Sequence, residues 1–219
     1  IMAMGAATVI AFNKQEAAEK KLRAALQANG RVVDSTYTKY KNFASEMQRL
    51  TVVGDEVTLE MLQVAESMGL TGDSAMRAVK NSIAMQEAFG VNAQSAIRMT
   101  SALEQGDATM LTRYIPALRE VEDQTERAAL AQDILSKSFG VATENAKTGQ
   151  GAMVQMKNAV GDLMEQFGAI ISEAITPFVG KIKELAERCQ NLDEKTKKII
   201  VVVSGLAAAI GPLLTSLGF

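Results

Sequence analysis

Histidine is absent from this 219-residue chain, and cysteine occurs once, at Cys189. Without histidine, the commonest general base and the usual zinc-ligand patterns are missing. A single thiol excludes an internal disulfide and fits a reducing compartment. Lysine or paired carboxylates could still act in catalysis, but the acidic residues recur beside Lys or Arg, as in KIKELAER, which is typical of solvated helical faces. The sequence therefore predicts a protein that is not an enzyme and has no metal site and no cofactor.

An excess of charge of one sign is also lacking, because 23 Lys and Arg stand against 25 Asp and Glu. The basic residues are spread among the acidic ones, so we expect only non-specific contact with DNA. No basic segment precedes the first apolar run, which argues against a secretory signal. The chain starts at Ile1 without an initiator and ends within an apolar run, so we expect it to be an excerpt of a longer protein.

Patterns typical of strands are nearly absent, and helical periodicity takes their place. AEKKLRAAL, SAMRAVKNSIAMQEAF and ERAALAQDILSKSF repeat apolar residues at three- and four-residue steps. Glycines that follow such segments predict helix ends and divide residues 6–140 into about seven helices. These glycines are Gly30, Gly54, Gly69, Gly90, Gly106 and Gly140. The predicted fold class is all-α, with a bundle of short helices punctuated by glycine, then a long kinked heptad-like helix and a C-terminal apolar helix.

A heptad-like pattern begins after residue 150. Its apolar positions alternate steps of three and four over about three repeats, which predicts one apolar stripe along a helix. We call these positions the seam: Met153, Met156, Val160, Leu163, Phe167, Ile170 and Ala174. Pro177 takes the next position and cannot donate a backbone hydrogen bond, so we expect a kink or break of the helix there. The seam fits either association with other copies or packing against the chain's own helices, and the pattern leaves both open.

From Ile199 to Phe219 the chain has 21 residues without a charge, preceded by a cluster of lysines. This length meets the criterion for a membrane-spanning helix, and lysines at its start suit a membrane interface. Small residues at four-residue steps would equally allow close packing in a protein assembly. The positions that we expect to face lipid or a protein core are Ile199, Val202, Leu206, Ile210, Leu213 and Leu217.

Three segments follow one another along the chain in the order LTRYIPALRE, TGQGAMVQMKNAVGDLMEQFGAIISEAITPFVGKI and NLDEKTKKIIVVVSGLAAAIGPLLTSLGF. Together with the helices punctuated by glycine, they resemble the tape measure proteins of long-tailed bacteriophages and prophages. The resemblance covers roughly residues 58–219. One departure is that RCQNLDEKTKK lacks the aromatic residue often found before the final apolar helix in that family, which leaves the packing of this joint open.

The resemblance implies a structural protein of the virion that lies in the tail lumen and sets tail length during assembly. It implies several partners: other copies of the chain, with a trimer preferred, tail tube proteins, and tail-tip proteins of the distal tail and baseplate hub. We expect this part of the protein near the tail tip, in the host cytoplasm during assembly. The apolar helix would be packed in the virion and would enter the host inner membrane on infection.

The predicted organisation has four parts. These are N-terminal helices at 1–57, a compact helical bundle at 58–140, the long coiled-coil-like helix at 141–192 and the apolar helix at 193–219. The alternative class is a membrane-active helical protein of the pore-forming toxin type, which also combines soluble helices with an apolar one. It is less favoured because the chain has a single apolar helix. An enzyme is the third class and lacks any nucleophile-and-base pattern.

Overall fold

Helices form the described part of the protein. The computed structural model describes residues 2–30 and 33–190, and within these ranges there is no strand, as the predicted all-α class requires. The chain divides into two compact units, residues 1–169 and residues 170–219. In chain order the elements are α1 (Met2–Ala28), α2 (Val33–Leu50), α3 (Asp55–Ser67), α4 (Asp73–Phe89), α5 (Ala93–Glu104), the 3₁₀-helices η1 (Thr109–Arg113) and η2 (Pro116–Arg119), α6 (Gln124–Asn145) and α7 (Gly149–Gln190).

Glycine ends four of the helices, as predicted. Gly30, Gly69, Gly90 and Gly106 all have positive φ, between 65° and 90°. At Gly90, φ is 65° and the backbone N–H donates to the carbonyl of Gln86, so this residue closes α4 in the left-handed conformation that favours glycine.

Two of the glycine predictions were wrong. Gly54 does not end a helix but precedes α3 in an extended conformation, with φ −68° and ψ 158°. Gly140 lies inside α6, which continues to Asn145. The physical reason is that Ala142, in the following turn, is buried in the core formed with α1 to α4, and this packing outweighs the weak helix propensity of one glycine.

The hydrophobic interior of residues 1–169 consists of two clusters that share α4. The first joins α1, α2, α3 and the first half of α4, and it also contains Ile97 of α5 and Ala142 of α6. The second joins the end of α4 to α5, η1, η2 and α6. Ile83 belongs to the first cluster and Met85 to the second. The first cluster draws on residues from both sides of the predicted boundary at residue 57.

A buried polar network fixes the joints between the first four helices. The Tyr40 hydroxyl donates to the Glu66 carboxyl at 2.5 Å and accepts the backbone N–H of Gly72 at 2.8 Å. Asn29 donates to the Glu66 carbonyl at 2.7 Å and to the Glu66 carboxyl at 3.2 Å. Both Tyr40 and Glu66 are fully buried. The network therefore ties the end of α1, the middle of α2, the end of α3 and the start of α4 to one carboxyl group.

The longest element, α7, is helical on both sides of Pro177. The predicted helix break therefore does not interrupt α7, because proline removes one hydrogen bond from a helix that is long enough to continue around it. The kink that we expect at this residue stays a prediction. The predicted apolar helix at 193–219, with its positions from Ile199 to Leu217, lies outside the described residues.

Candidate helix-association surface

The seam side chains on α7 are exposed in the described part of the chain. Its six positions from Met153 to Ile170 are between 45% and 65% exposed, and the side chain of Ala174 is outside the described part. At a rise of about 1.5 Å per residue these six positions extend over roughly 25 Å. None of the described helices covers these six side chains, and the choice between other copies and the chain's own helices stays a prediction. A stripe of large apolar side chains of this extent is typical of a surface that another protein or a membrane covers.

The opposite face of α7 contacts the connection between α2 and α3 through polar groups. Gln155 donates its amide to the carbonyl of Arg49 at 2.9 Å and to that of Thr51 at 3.3 Å. Gln48 donates to the carboxyl of Asp162 at 2.8 Å. The first half of α7 therefore turns its polar side toward the bundle and its apolar side toward solvent.

One close backbone approach accompanies these hydrogen bonds. A Cβ placed on Gly168 would overlap the carbonyl group of Thr8 and would lie 2.8 Å from the Cβ of Phe12. Gly161, one heptad earlier on the same helix, has open space at the same point. Glycine at 168 therefore lets α7 approach α1 more closely than any other residue would.

Between α7 and the bundle lies an open cleft of about 520 Å³ with an acidic character. Its ionisable lining residues are Lys14, Glu56, Glu87, Lys157, Asp162 and Glu165, and Asp55 adjoins them. Lys14 Nζ lies 3.4 Å from Glu56 Oε1, and among the described residues this is the one ion pair within the group. The carboxyl groups therefore outnumber the amines that could neutralise them.

Burial and mutual repulsion shift the pKa values of three of these carboxyl groups. Burial, together with the charges of Glu56 and Asp162, raises the pKa of Asp55 to about 6. Burial and the charges of the neighbouring carboxylates raise the pKa of Glu165 to about 7, and Lys14 acts in the opposite direction. Burial also raises the pKa of Asp162, against the hydrogen bond from Gln48. The ionised form of this cluster is thus disfavoured where α7 meets the bundle.

The hydrogen bonds of Asp55 show the same imbalance. Its Oδ2 accepts from the Gln15 amide at 3.2 Å, and its backbone N–H donates to Gln48 Oε1 at 2.8 Å. Asp55 Oδ1 and Gln15 Oε1 are both buried without a hydrogen-bond donor in the described part of the chain. Two acceptors on side chains that contact each other thus lack the proton that one donor would supply.

This carboxyl cluster was not predicted from the sequence. Asp162 and Glu165 stand on the polar side of the heptad pattern and have Gln166 and Ala169 four residues later, where a basic partner would be expected on a solvated face. The absence of a basic residue at these positions is the sequence signal that the two carboxyl groups do not lie on an ordinary solvated face. Their approach to Asp55 and Glu56 is a tertiary contact, which one sequence does not reveal.

Other kinds of site are not found in the described part. No group of three or more His, Cys, Asp or Glu side chains there is arranged to hold a metal ion. Among the helices with described positions, none is both long and apolar enough to cross a membrane. The seam and the carboxyl cluster are therefore the features of α7 that call for a functional explanation.

The described residues are thus helical, and an apolar stripe is exposed on the longest helix among them. A stretch of 88 residues, 38% of this chain, is 31% identical to a tape measure protein of Pneumococcus phage Dp-1. The match spans 8% of that phage protein. No family model and no solved structure matches the chain. The similarity is distant and partial, and it concerns this stretch of the chain alone.

Proposed function

We propose that this chain is a segment of a phage tape measure protein that takes part in tail assembly and in setting tail length. The observation that carries the proposal is the similarity to the phage Dp-1 protein. The all-helical character of this chain is compatible with that role. An extended helix has a fixed rise of about 1.5 Å per residue and can serve as a ruler.

Within such a protein, this segment is proposed to anchor rather than to measure. The helices α2 to α6 have 12 to 22 residues each and fold back on one another around two shared cores. A chain folded in this way spans far less distance per residue than an extended helix. We therefore assign the measuring role to other parts of the parent protein, and this segment to the tail tip, in contact with tail tube, distal tail and baseplate hub proteins.

The proposed contact between copies is the seam. Its six described side chains are exposed in the single chain, and burying them between helices would remove apolar surface from water, which is the main driving force for association. The heptad spacing suits a helix assembly. A trimer is the preferred state because the resemblance to tape measure proteins implies it. Cys189 belongs to the apolar pattern that resumes in a shifted frame after Pro177, and it is proposed as a small buried apolar residue, not as a reactive thiol.

The C-terminal segment Ile199–Phe219 is proposed to be sheltered by protein in the virion and to enter the host inner membrane during DNA delivery. Its 21 uncharged residues would span about 30 Å as a helix, the thickness of the hydrocarbon core. Pro212 and the glycines are tolerated in lipid when neighbouring helices satisfy the freed backbone groups. Contact with the DNA in the tail would be non-specific, because positive and negative charges are mixed along the chain.

The experiment that tests the proposal is a series of in-frame deletions in the extended helical part of the parent protein. Tails should shorten in proportion to the number of residues removed, and electron microscopy of the particles measures this directly. A matched deletion within residues 33–145, which fold back, should instead block assembly or leave tail length off the proportional line. Tails of constant length across the series would refute the ruler function.

A further inference from the structure

The attachment of α7 to the bundle is the feature that the proposed tail function leaves unexplained. An amphipathic helix normally buries its apolar side, whereas residues 149–169 expose theirs and contact the bundle through amides and through the close approach of Gly168 to α1. Hydrogen bonds of this kind add little net stability, because water offers the same bonds to the separated groups. The docked position of this half-helix is therefore held weakly and responds to any additional attraction or repulsion across the contact.

Charge supplies a repulsion. From α1 the contact receives Lys14, from α3 Asp55 and Glu56, and from α4 Glu87, while α2 contributes the neutral Gln48. From its own side α7 brings the charged groups Lys157, Asp162 and Glu165. Five carboxyl groups thus meet two amines, and like charges in a partly buried space are poorly screened by salt.

Hydrogen bonding favours a proton in the same place. The buried, unpartnered Asp55 Oδ1 and Gln15 Oε1 belong to side chains that already share one hydrogen bond. A proton on Asp55 turns one of these acceptors into a donor and removes one negative charge from the cluster. Hydrogen bonding and charge therefore both favour a proton on Asp55 while α7 is docked.

We propose that residues 149–169 of α7 form a proton-controlled latch, which holds the helix on the bundle at acidic pH and releases it when the carboxyl cluster ionises toward neutral pH. Release would free the polar face of the half-helix, and the seam beside it would be able to adopt the supercoil of a helix assembly. The latch does not depend on the tail function, because it rests on the contacts of α7 within residues 1–169.

The direction of the pH effect on docking, and the pH range in which it occurs, follow from the raised pKa values of the carboxyl groups. In the docked state the pKa is about 6 for Asp55 and about 7 for Glu165. Release exposes Glu165, whose pKa should return to roughly 4, and it removes the charge of Asp162 from Asp55, whose pKa should fall. The docked state therefore binds more protons between about pH 4 and pH 7. Docking is strongest below this range and is lost as pH rises through it. Solvent near Glu165 reduces its share of the effect, so the ratio of docked to released helix should fall about tenfold or more across this range.

Distances between two spin labels on the whole chain test the latch. Cysteines replace the exposed residues Glu60 on α3 and Gln166 on α7, in a chain carrying Cys189→Ser and diluted with unlabelled protein to suppress distances between copies. We expect one narrow distance distribution at pH 5 and a broader, longer one at pH 8. A distribution that stays unchanged between these pH values would overturn the proposal.

Charge-removing variants test the cause. The triple variant Asp55→Asn, Asp162→Asn, Glu165→Gln should keep the narrow distribution at pH 8, whereas Asp133→Asn, which disrupts an exposed ion pair with Lys137 on α6, should release as the parent does. If the triple variant still releases at pH 8, the cluster is not the cause and the proposal fails. If the triple variant does not fold by circular dichroism, the single variant Glu165→Gln decides. It should increase the docked fraction at pH 8 relative to the parent chain, and absence of this increase overturns the proposal.

Discussion

The replacement Tyr40→Phe removes one oxygen atom from the network that joins the first four helices. The lost hydroxyl leaves Glu66 Oε1 without its donor and the backbone N–H of Gly72 without its acceptor. An unsatisfied buried polar group costs roughly 1–3 kcal/mol, and the Gly72 N–H is partly accessible to water, so we expect a loss of about 2–4 kcal/mol. That is a large share of the 5–15 kcal/mol typical of a domain.

Urea unfolding followed by circular dichroism measures this loss. The midpoint should fall while the slope with urea concentration stays the same, because the surface exposed on unfolding does not change. The matched control is Tyr114→Phe, since the Tyr114 hydroxyl makes no hydrogen bond with any described residue, and its cost should stay below about 0.5 kcal/mol.

A double-mutant cycle of Tyr40→Phe with Glu66→Gln should give a coupling energy above about 0.5 kcal/mol, because the two groups are in direct contact. A loss below about 1 kcal/mol for Tyr40→Phe, or a loss equal to that of Tyr114→Phe, would refute the view that this network fixes the joints.

Three further predictions concern α7 and the segment after it. Phe167→Asp should make the chain monomeric in sedimentation, because it places a charge in the seam. Gln166→Asp, at the adjacent exposed position, should leave association unchanged. A parent chain that is monomeric at high concentration would contradict the proposed association through the seam. At pH 5, where α7 is docked, Gly168→Ala should destabilise the chain by about 1–3 kcal/mol in urea unfolding through overlap with α1. Gly161→Ala should stabilise it by up to about 1 kcal/mol, and equal effects would contradict the close approach. In liposomes the C-terminal segment should resist carbonate extraction. Leu206→Lys should weaken that resistance, because a lysine at the centre of an inserted helix costs about 2.5–3.5 kcal/mol of insertion free energy. Equal extraction of the parent and the variant would rule out insertion.

Local sequence signals predicted the helices well where a single residue decides the backbone. Gly69, Gly90 and Gly106 each end a periodic segment and adopt positive φ, which other residues rarely do. Gly140 follows a similar segment but stays helical, because burial of Ala142 depends on helices far away in the sequence. The same sequence signal can therefore have two outcomes, and tertiary packing decides between them.

Of the two parts of the candidate site, the seam was predictable from the sequence and the carboxyl cluster was not. The heptad spacing predicted that the positions from Met153 to Ile170 share a face, because that follows from the helical repeat alone. Their exposure did not follow, because it depends on which face of α7 contacts the bundle. The carboxyl cluster did not follow either, since Asp55 and Asp162 come from elements that are far apart along the chain.

The sharing of α4 between two hydrophobic clusters has a consequence for folding. Ile83 and Met85 are two residues apart and belong to different clusters, so neither cluster can be completed while this helix is unformed. Loss of α4 in one cluster removes a wall from the other. Residues 8–146 should therefore unfold in one cooperative transition, and a truncation ending within α4 should leave no stable half behind. Any passage of this segment through a narrow tube would then require the whole bundle to open at once, which sets a single energetic threshold for its release.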